Sequence, residues 1–204
     1  MNNDFFIRNA DRLFEHSRSE REVLNSVNDK SYVEFINQIN GGFFFNKSLI
    51  VYGFGHIPQY SSFVEMNLLI NSLYVSIAPR AQYFGCDFLG NQFAFFENNV
   101  HFFNLETGKF EFLSPNFEEW KAVISSDLDY YTGQSLVIEW ETKIGKLDFS
   151  ERLCPKKPFV IGGEYVVDNL FALNMKSLLQ YNYEIAKQIH HLPDGAEIVL
   201  KIIK

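Results

Sequence analysis

The chain is predicted to be an α+β protein, an antiparallel sheet with helices packed around it. Three observations predict this. Residues 83–113 carry short aromatic strands in succession, with Phe93/Phe95 and Phe110/Phe112 alternating between turn residues, as strands half buried against a core do. Asn116 then precedes Phe117, Trp120, Val123 and Ile124 at helical spacing, with Glu119 three residues after it. An Asn there accepts from the unpaired N–H groups of a first helical turn, so a capped helix closes the meander. Residues 175–191 place Leu178, Leu179, Ile185 and Ile189 on one helical face, where Asn182 is the polar exception.

The remaining elements follow in chain order. Phe6, Leu13, Val23, Leu24 and Val27 predict one or two amphipathic helices within residues 4–27. Tyr32, Phe35, Ile36 and Ile39 fall at i, i+3, i+4 and i+7, which predicts a helix with Ser31 as N-cap and Glu34 as its capping-box partner. Gly41 and Gly42 end it by supplying positive φ. A buried strand pair is predicted around Asn46-Lys47, a loop at 56–58 and a short helix over 63–74. Within the meander, residues 87–91 read as a turn. Asp87 and Asn91 bond to local backbone there, and Gly90 takes the strained position. Asn98-Asn99 reverses the chain, because Asn tolerates the left-handed conformation. Past Ser126 come a helix in 127–145 with Leu136, Val137 and Trp140, a proline-flanked loop and strand over 154–165, a strand at 169–173, the long helix, a turn at 192–195 and a final strand over 196–204. No internal repeat divides the 204 residues, and a single domain spanning 1–204 is expected.

Composition narrows the function. The 22 Phe are rigid and large, so they are expected mainly in the core, with a few available for a binding patch. A net charge of −7, with no basic run longer than Lys156-Lys157, repels phosphate backbones and argues against direct nucleic-acid binding. Two cysteines, Cys86 and Cys154, cannot build a disulfide framework and predict a reducing compartment. The most apolar stretch, 63–78, is broken by Glu65, Asn67 and Asn71, too interrupted for a membrane span. The first sixteen residues read as neither signal peptide nor anchor. A cytoplasmic protein is expected.

Several groups invite a chemical reading. Asp87 with Gly90 and Asn91 is either a carboxylate in a cleft or a turn lock, and the turn chemistry accounts for all three. Gly162-Gly163-Glu164-Tyr165 reads as a turn leading into a strand rather than a pocket wall. His190-His191 with Asp194 reads as a solvated helix end, since adjacent histidines diverge on a helix. Cys86 reads as a buried thiol, with no histidine at partner spacing. No catalytic, cofactor-binding or metal-ligating residue is therefore assigned, and no cofactor is expected. Glu118, Glu119, Asp127 and Asp129 form an acidic group around the end of the meander. They suit a helix N-terminus and a solvated face, and they are the candidate partner-binding residues if a basic protein is met there.

Ser31-Tyr32 and Phe35, Asn40-Gly41-Gly42, Ile77-Ala78, the Asp87 and Gly90-Asn91 turn, and Phe117-Glu118-Glu119-Trp120 together resemble the SUKH superfamily, bacterial relatives of the fungal cell-wall synthesis regulator. The resemblance covers about 20–125. Residues 126–204 are similar to an extension carried by one subset, through Tyr131-Thr132-Gly133, Pro158-Phe159-Val160-Ile161-Gly162-Gly163-Glu164-Tyr165 and Leu192-Pro193-Asp194-Gly195. The chain departs from the pattern at Asp29-Lys30, where Leu-Pro is usual, and in the loop at 56–60. The resemblance implies a strongly curved antiparallel sheet with helices around it and a C-terminal α/β extension. It also implies an immunity protein that binds and neutralises a cognate toxin domain in competition between bacteria. A regulatory adaptor without a toxin partner is the alternative, and an enzyme built on Asp87, Glu97 or His101 the third reading. The toxin's identity and the oligomeric state do not follow from the resemblance.

Overall fold

The aromatic meander forms one end of a larger sheet. In chain order the computed structural model contains α1 (Asp4–Arg8), β1 (Ala10–Leu13), α2 (Arg21–Asn25), α3 (Lys30–Gln38), β2 (Gly42–Phe44), β3 (Leu49–Val51), α4 (Phe63–Leu73), β4 (Gln82–Cys86), β5 (Gln92–Phe96), β6 (Asn99–Asn104), β7 (Lys109–Ser114) and α5 (Phe117–Ser126). These are followed by α6 (Leu128–Thr132), α7 (Gln134–Lys143), β8 (Glu151–Pro155), β9 (Leu170–Asn174) and α8 (Met175–Ile189). The structure describes residues 3–200 except 17, 18, 58 and 194. Strands β1 to β7 lie in sequence order, each antiparallel to its neighbour, and β8 and β9 form a separate hairpin. The register shifts at β1–β2, β4–β5 and β6–β7, and such irregularities bend and twist a sheet locally.

Both faces of the sheet are covered. Phe93 pairs with Phe102 and Gln92 with Phe103, so Phe102 and Phe103 point to opposite faces. On one face Trp120 of α5 packs on Phe93 and Phe84 at centroid distances of 5.2 and 5.1 Å. On the other, Phe103 meets Tyr74 beside α4, which in turn meets Tyr183 of α8. The extension is part of this core: Cys154, Met175, Leu178, Leu179 and Ala186 belong to the same buried cluster as the sheet residues. A second, smaller cluster joins Phe88 and Leu89 to Val137, Trp140, Leu147, Leu153, Val167 and Leu170.

Several local expectations need correction. Residues 10–13 are an edge strand, not helix: Ala10 pairs with Phe44 and Leu13 with Gly42, partners too far along the chain for local spacing to reveal. The N-cap of α3 is Asp29, not Ser31. Asp29 Oδ1 accepts from Tyr32 N at 2.9 Å and from Ser31 Oγ at 2.6 Å, while Oδ2 accepts from Phe117 N at 2.8 Å. One carboxylate thus serves the start of α3 and the start of α5, and its charge suits both helix dipoles better than a hydroxyl. The two-residue loop between β5 and β6 is Glu97-Asn98, one position earlier than expected, because Phe96 already pairs with Asn99. Residues 127–145 form two helices, broken where Gly133 takes φ 65°. Of the loop and strand expected over 154–165, only Cys154 and Pro155 are strand, as the end of β8, and Phe159–Ile161 is a 3-10 turn. Residues 196–200 form no strand, and 201–204 lie outside the described residues. The predicted cap at Asn116 forms as expected, and the helix expected over 175–191 forms as Met175–Ile189.

Candidate functional site

A cleft opens where the extension meets the sheet. It comprises two adjoining cavities of about 480 and 180 Å³ that share Leu89, Asn91, Asn104 and Tyr165 as lining. The larger lies within the usual size range of ligand pockets. Its lining includes Phe102, Glu111, Phe112 and Leu113 of β6 and β7, Tyr130 and Tyr131 of α6, and the 87–91 turn.

The turn is built as the sequence predicts, and it is buried. Asp87 Oδ1 accepts from Leu89 N and Asn91 N, both at 2.9 Å, and Oδ2 accepts from Asn91 Nδ2 at 3.0 Å. The backbone closes the loop through Asp87 N to Asn91 O and Gly90 N to Asp87 O. Asn91 Oδ1 accepts from Leu105 N at 3.0 Å and so fixes the turn to the end of β6. Gly90 has φ 80°, and a Cβ there would lie 2.7 Å from Leu178 Cδ2. Burial pushes the Asp87 carboxyl up to about 7, against the pull of its N–H donors and of the nearby Arg152. Asp87 is therefore both the predicted turn lock and part of the cleft wall.

Glu106 performs the matching task across the cleft. It is 6% exposed, and its two oxygens accept from Phe159 N at 3.1 Å and Val160 N at 3.0 Å. This holds the 3-10 turn of the extension against the β6–β7 connection. Burial raises its carboxyl above the ordinary range. Phe159 stacks on Tyr165 with rings 3.9 Å apart and 3° from parallel, which sets Tyr165 as a flat wall. Gly163 makes this loop possible, since a Cβ there would lie 1.9 Å from Lys157 O. The 162–165 segment is accordingly a turn, as expected, but one that delivers Tyr165 to the cleft rather than leading into a strand.

Two aromatic side chains at the rim face solvent, Tyr130 at 79% and Tyr165 at 63% exposure, while the equally exposed Phe112 pairs with His101 and so turns its ring to the sheet face opposite Glu111. Among the described residues no lysine, arginine or histidine lines either cavity. The carboxylates of Asp87 and Glu106 are occupied by backbone and amide donors. The Glu111 side chain is exposed and its carboxylate makes no hydrogen bond or ion pair among the described residues. The arrangement offers apolar burial, aromatic faces and one unengaged negative charge, which is binding chemistry.

The other sequence candidates are placed elsewhere. Glu118 and Glu119 start α5, while Asp127 ends it and Asp129 lies in α6. About nine residues of helix separate the pairs, roughly 13 Å along the axis, so the four acids do not form one cluster. Glu118 pairs with Lys121 at 2.8 Å, Asp127 accepts from Tyr130 N, and Asp129 accepts from Ser135 N. None of the four lines the cleft. Asp87 and Glu97 flank β5 at opposite ends, a separation of roughly 16 Å at strand rise. His101 is buried, with its ring against Phe96 and Phe112 and its Nδ1 without a partner. The structure does not gather these three into one pocket. Cys86 is fully buried, and desolvation pushes its thiol up to about 11. His190 is the C-cap of α8, and Asp194 lies outside the described residues. Among the described residues no group of three His, Cys, Asp or Glu side chains is placed to hold a metal ion, and no helix is long and apolar enough to cross a membrane.

Sequence reasoning missed Glu106, Glu111 and Tyr130 as site residues, and the pocket-wall reading it set aside for 162–165 holds for Tyr165. Their signal is tertiary, since each lies on a different element or loop.

No family model matches the sequence, and no curated protein matches it. Among solved structures, the crystal structure of Atu4351 from Agrobacterium tumefaciens is similar, with a TM-score of 0.60, 13% identity, and coverage of 89% of this chain and 86% of that one. At that identity the likeness establishes the fold alone.

Proposed function

We propose that the protein is a non-enzymatic binding protein, an immunity protein that neutralises a cognate bacterial toxin domain in the cytoplasm by holding it at the aromatic-rimmed cleft. The observation that carries this is the exposure of Tyr130 and Tyr165 around one cavity. Large aromatics at the centre of an interface bury much area at little entropic cost and supply most hot spots. The SUKH-like motifs supply the partner class. The acidic balance supports it by favouring encounter with a basic surface. The reading requires no metal or cofactor.

Co-expression with the toxin domain encoded beside it, followed by pull-down and a survival assay, tests the proposal. The expected result is a stable complex and survival. Tyr130→Ala with Tyr165→Ala should cost about 2 kcal/mol or more of affinity, mainly by faster dissociation. Charge reversal at Glu118, Glu119, Asp127 or Asp129 should at most slow association. Survival with no detectable complex would sink the binding mechanism.

A further inference from the structure

We infer that the cleft seats a guanidinium group, the side chain of an arginine on the partner protein. The inference rests on the binding reading above and specifies the chemistry of its anchor. Charge complementarity comes first. Among the described residues the cavity lining contains Glu111, whose carboxylate has no partner, and no cation. A positive group entering it therefore meets an unengaged carboxylate and no cation in the wall itself, Arg152 lying outside the lining near Asp87. The shape of the remaining surface selects among cations. Tyr165 is held flat by its stack on Phe159, and Tyr130 presents an exposed ring at the same opening. A guanidinium is planar and weakly hydrated, so it lies on aromatic faces and still forks onto a carboxylate. An ammonium is a compact, strongly hydrated charge that gains less from flat walls. The amides nearby do not compete for the role of acceptor. Asn91 Oδ1 is occupied by Leu105 N, and Asn104 Oδ1 accepts from Thr107 N. Among the carboxylates of the lining, Glu111 is the one that no described donor already engages.

The test uses the full chain, ¹⁵N-labelled, and three small probes: Nα-acetyl-arginine methylamide, the uncharged citrulline analogue of the same shape, and the lysine analogue. The arginine probe should shift amide resonances of Glu111, Phe112, Tyr130 and Tyr165 in a saturable way. The citrulline probe should bind about tenfold more weakly, as loss of a charge-assisted fork predicts, and the lysine probe should bind more weakly than arginine. Glu111→Gln should weaken the arginine probe about tenfold with the rest of the spectrum unchanged. No saturable shift with arginine, an equal response to citrulline, or a lysine response as strong as arginine's would each overturn the inference. The two readings fail separately. Arginine-probe binding without a toxin complex removes the proposed partner and leaves the guanidinium site. A toxin complex without arginine-probe binding leaves the partner and removes this anchor.

Discussion

At one end of β5 the chain turns through Asp87-Phe88-Leu89-Gly90-Asn91, and at the other through Glu97-Asn98. Both turns use side chains that bond to their own backbone and residues at positive φ, with Gly90 at 80° and Glu97 and Asn98 at 50° and 62°. Their surroundings differ completely. Asp87, Phe88 and Leu89 are all buried, and Phe88 and Leu89 enter the second core. Phe88 O accepts from Leu153 N of β8, which ties the turn to the extension. Glu97 and Asn98 are exposed, with Asn99 Nδ2 donating to Glu97 O as the local support. Local turn chemistry shapes both reversals, whereas the tertiary partner decides which of them becomes a hinge point of the site.

The largest effect that tests this contrast is expected at Phe88. Its ring lies in the second core and occupies the space beside Gly133, where a Cβ would come within 2.2 Å of it. Truncation to alanine opens a cavity between sheet and extension. Phe88→Ala should therefore cost about 3 kcal/mol or more in urea unfolding, whereas Glu97→Ala should stay within about 1 kcal/mol. Equal costs would break the contrast.

A middle-sized effect is expected from pH. Asp87 is raised from 3.8 to about 7 in the fold, so the folded state holds this proton more tightly than the unfolded chain. The stability linked to it is fully present below about pH 4 and is lost as pH rises through 7. The slope between those limits is at most about 1.4 kcal/mol per pH unit. Glu106 and Asp11 are raised as well and act in the same direction. Asp87→Asn removes the titration. It also costs one hydrogen bond, because its new amide faces Asn91 Nδ2, and Asn91 is held by Leu105 N. Chemical unfolding at pH 5 and pH 8 should show the wild type losing more stability than the variant. Equal losses would show that Asp87 does not titrate in this interval.

The contrast also explains what was legible in the sequence. The meander was readable because aromatic alternation and turn residues are local signals, and the same holds for the Asn116 cap and the Asp87 turn. Edge strand β1 was not, since its partner Phe44 lies more than thirty residues on. Asp29 was overlooked as a cap because its second role, accepting from Phe117 N, is visible only in three dimensions. The cleft was illegible for the same reason. Tyr130, Tyr165, Glu106 and Glu111 come from a short helix, a glycine loop, a turn and a strand, and no spacing links them. The segment at 196–200 shows the opposite error. Its strand-like alternation is present, but no strand pairs with it.

The smallest effect belongs at the exposed turn. Glu97 and Asn98 form a two-residue loop with both φ values positive, the geometry in which Asn-Gly is the preferred pair. A glutamate in the left-handed region carries roughly 1 kcal/mol of strain that Asn tolerates better, while the added glycine gives part of the gain back as unfolded-state entropy. Glu97→Asn combined with Asn98→Gly should therefore raise stability by about 0.5 kcal/mol, a rise of roughly 1–2 °C in Tm for a chain of this size. It should leave toxin and arginine-probe binding unchanged, because neither residue lines the cleft. These side chains border a separate depression with Asn28 and Asp29. A loss of more than about 1 kcal/mol would show that the tip is engaged there and is not a free reversal.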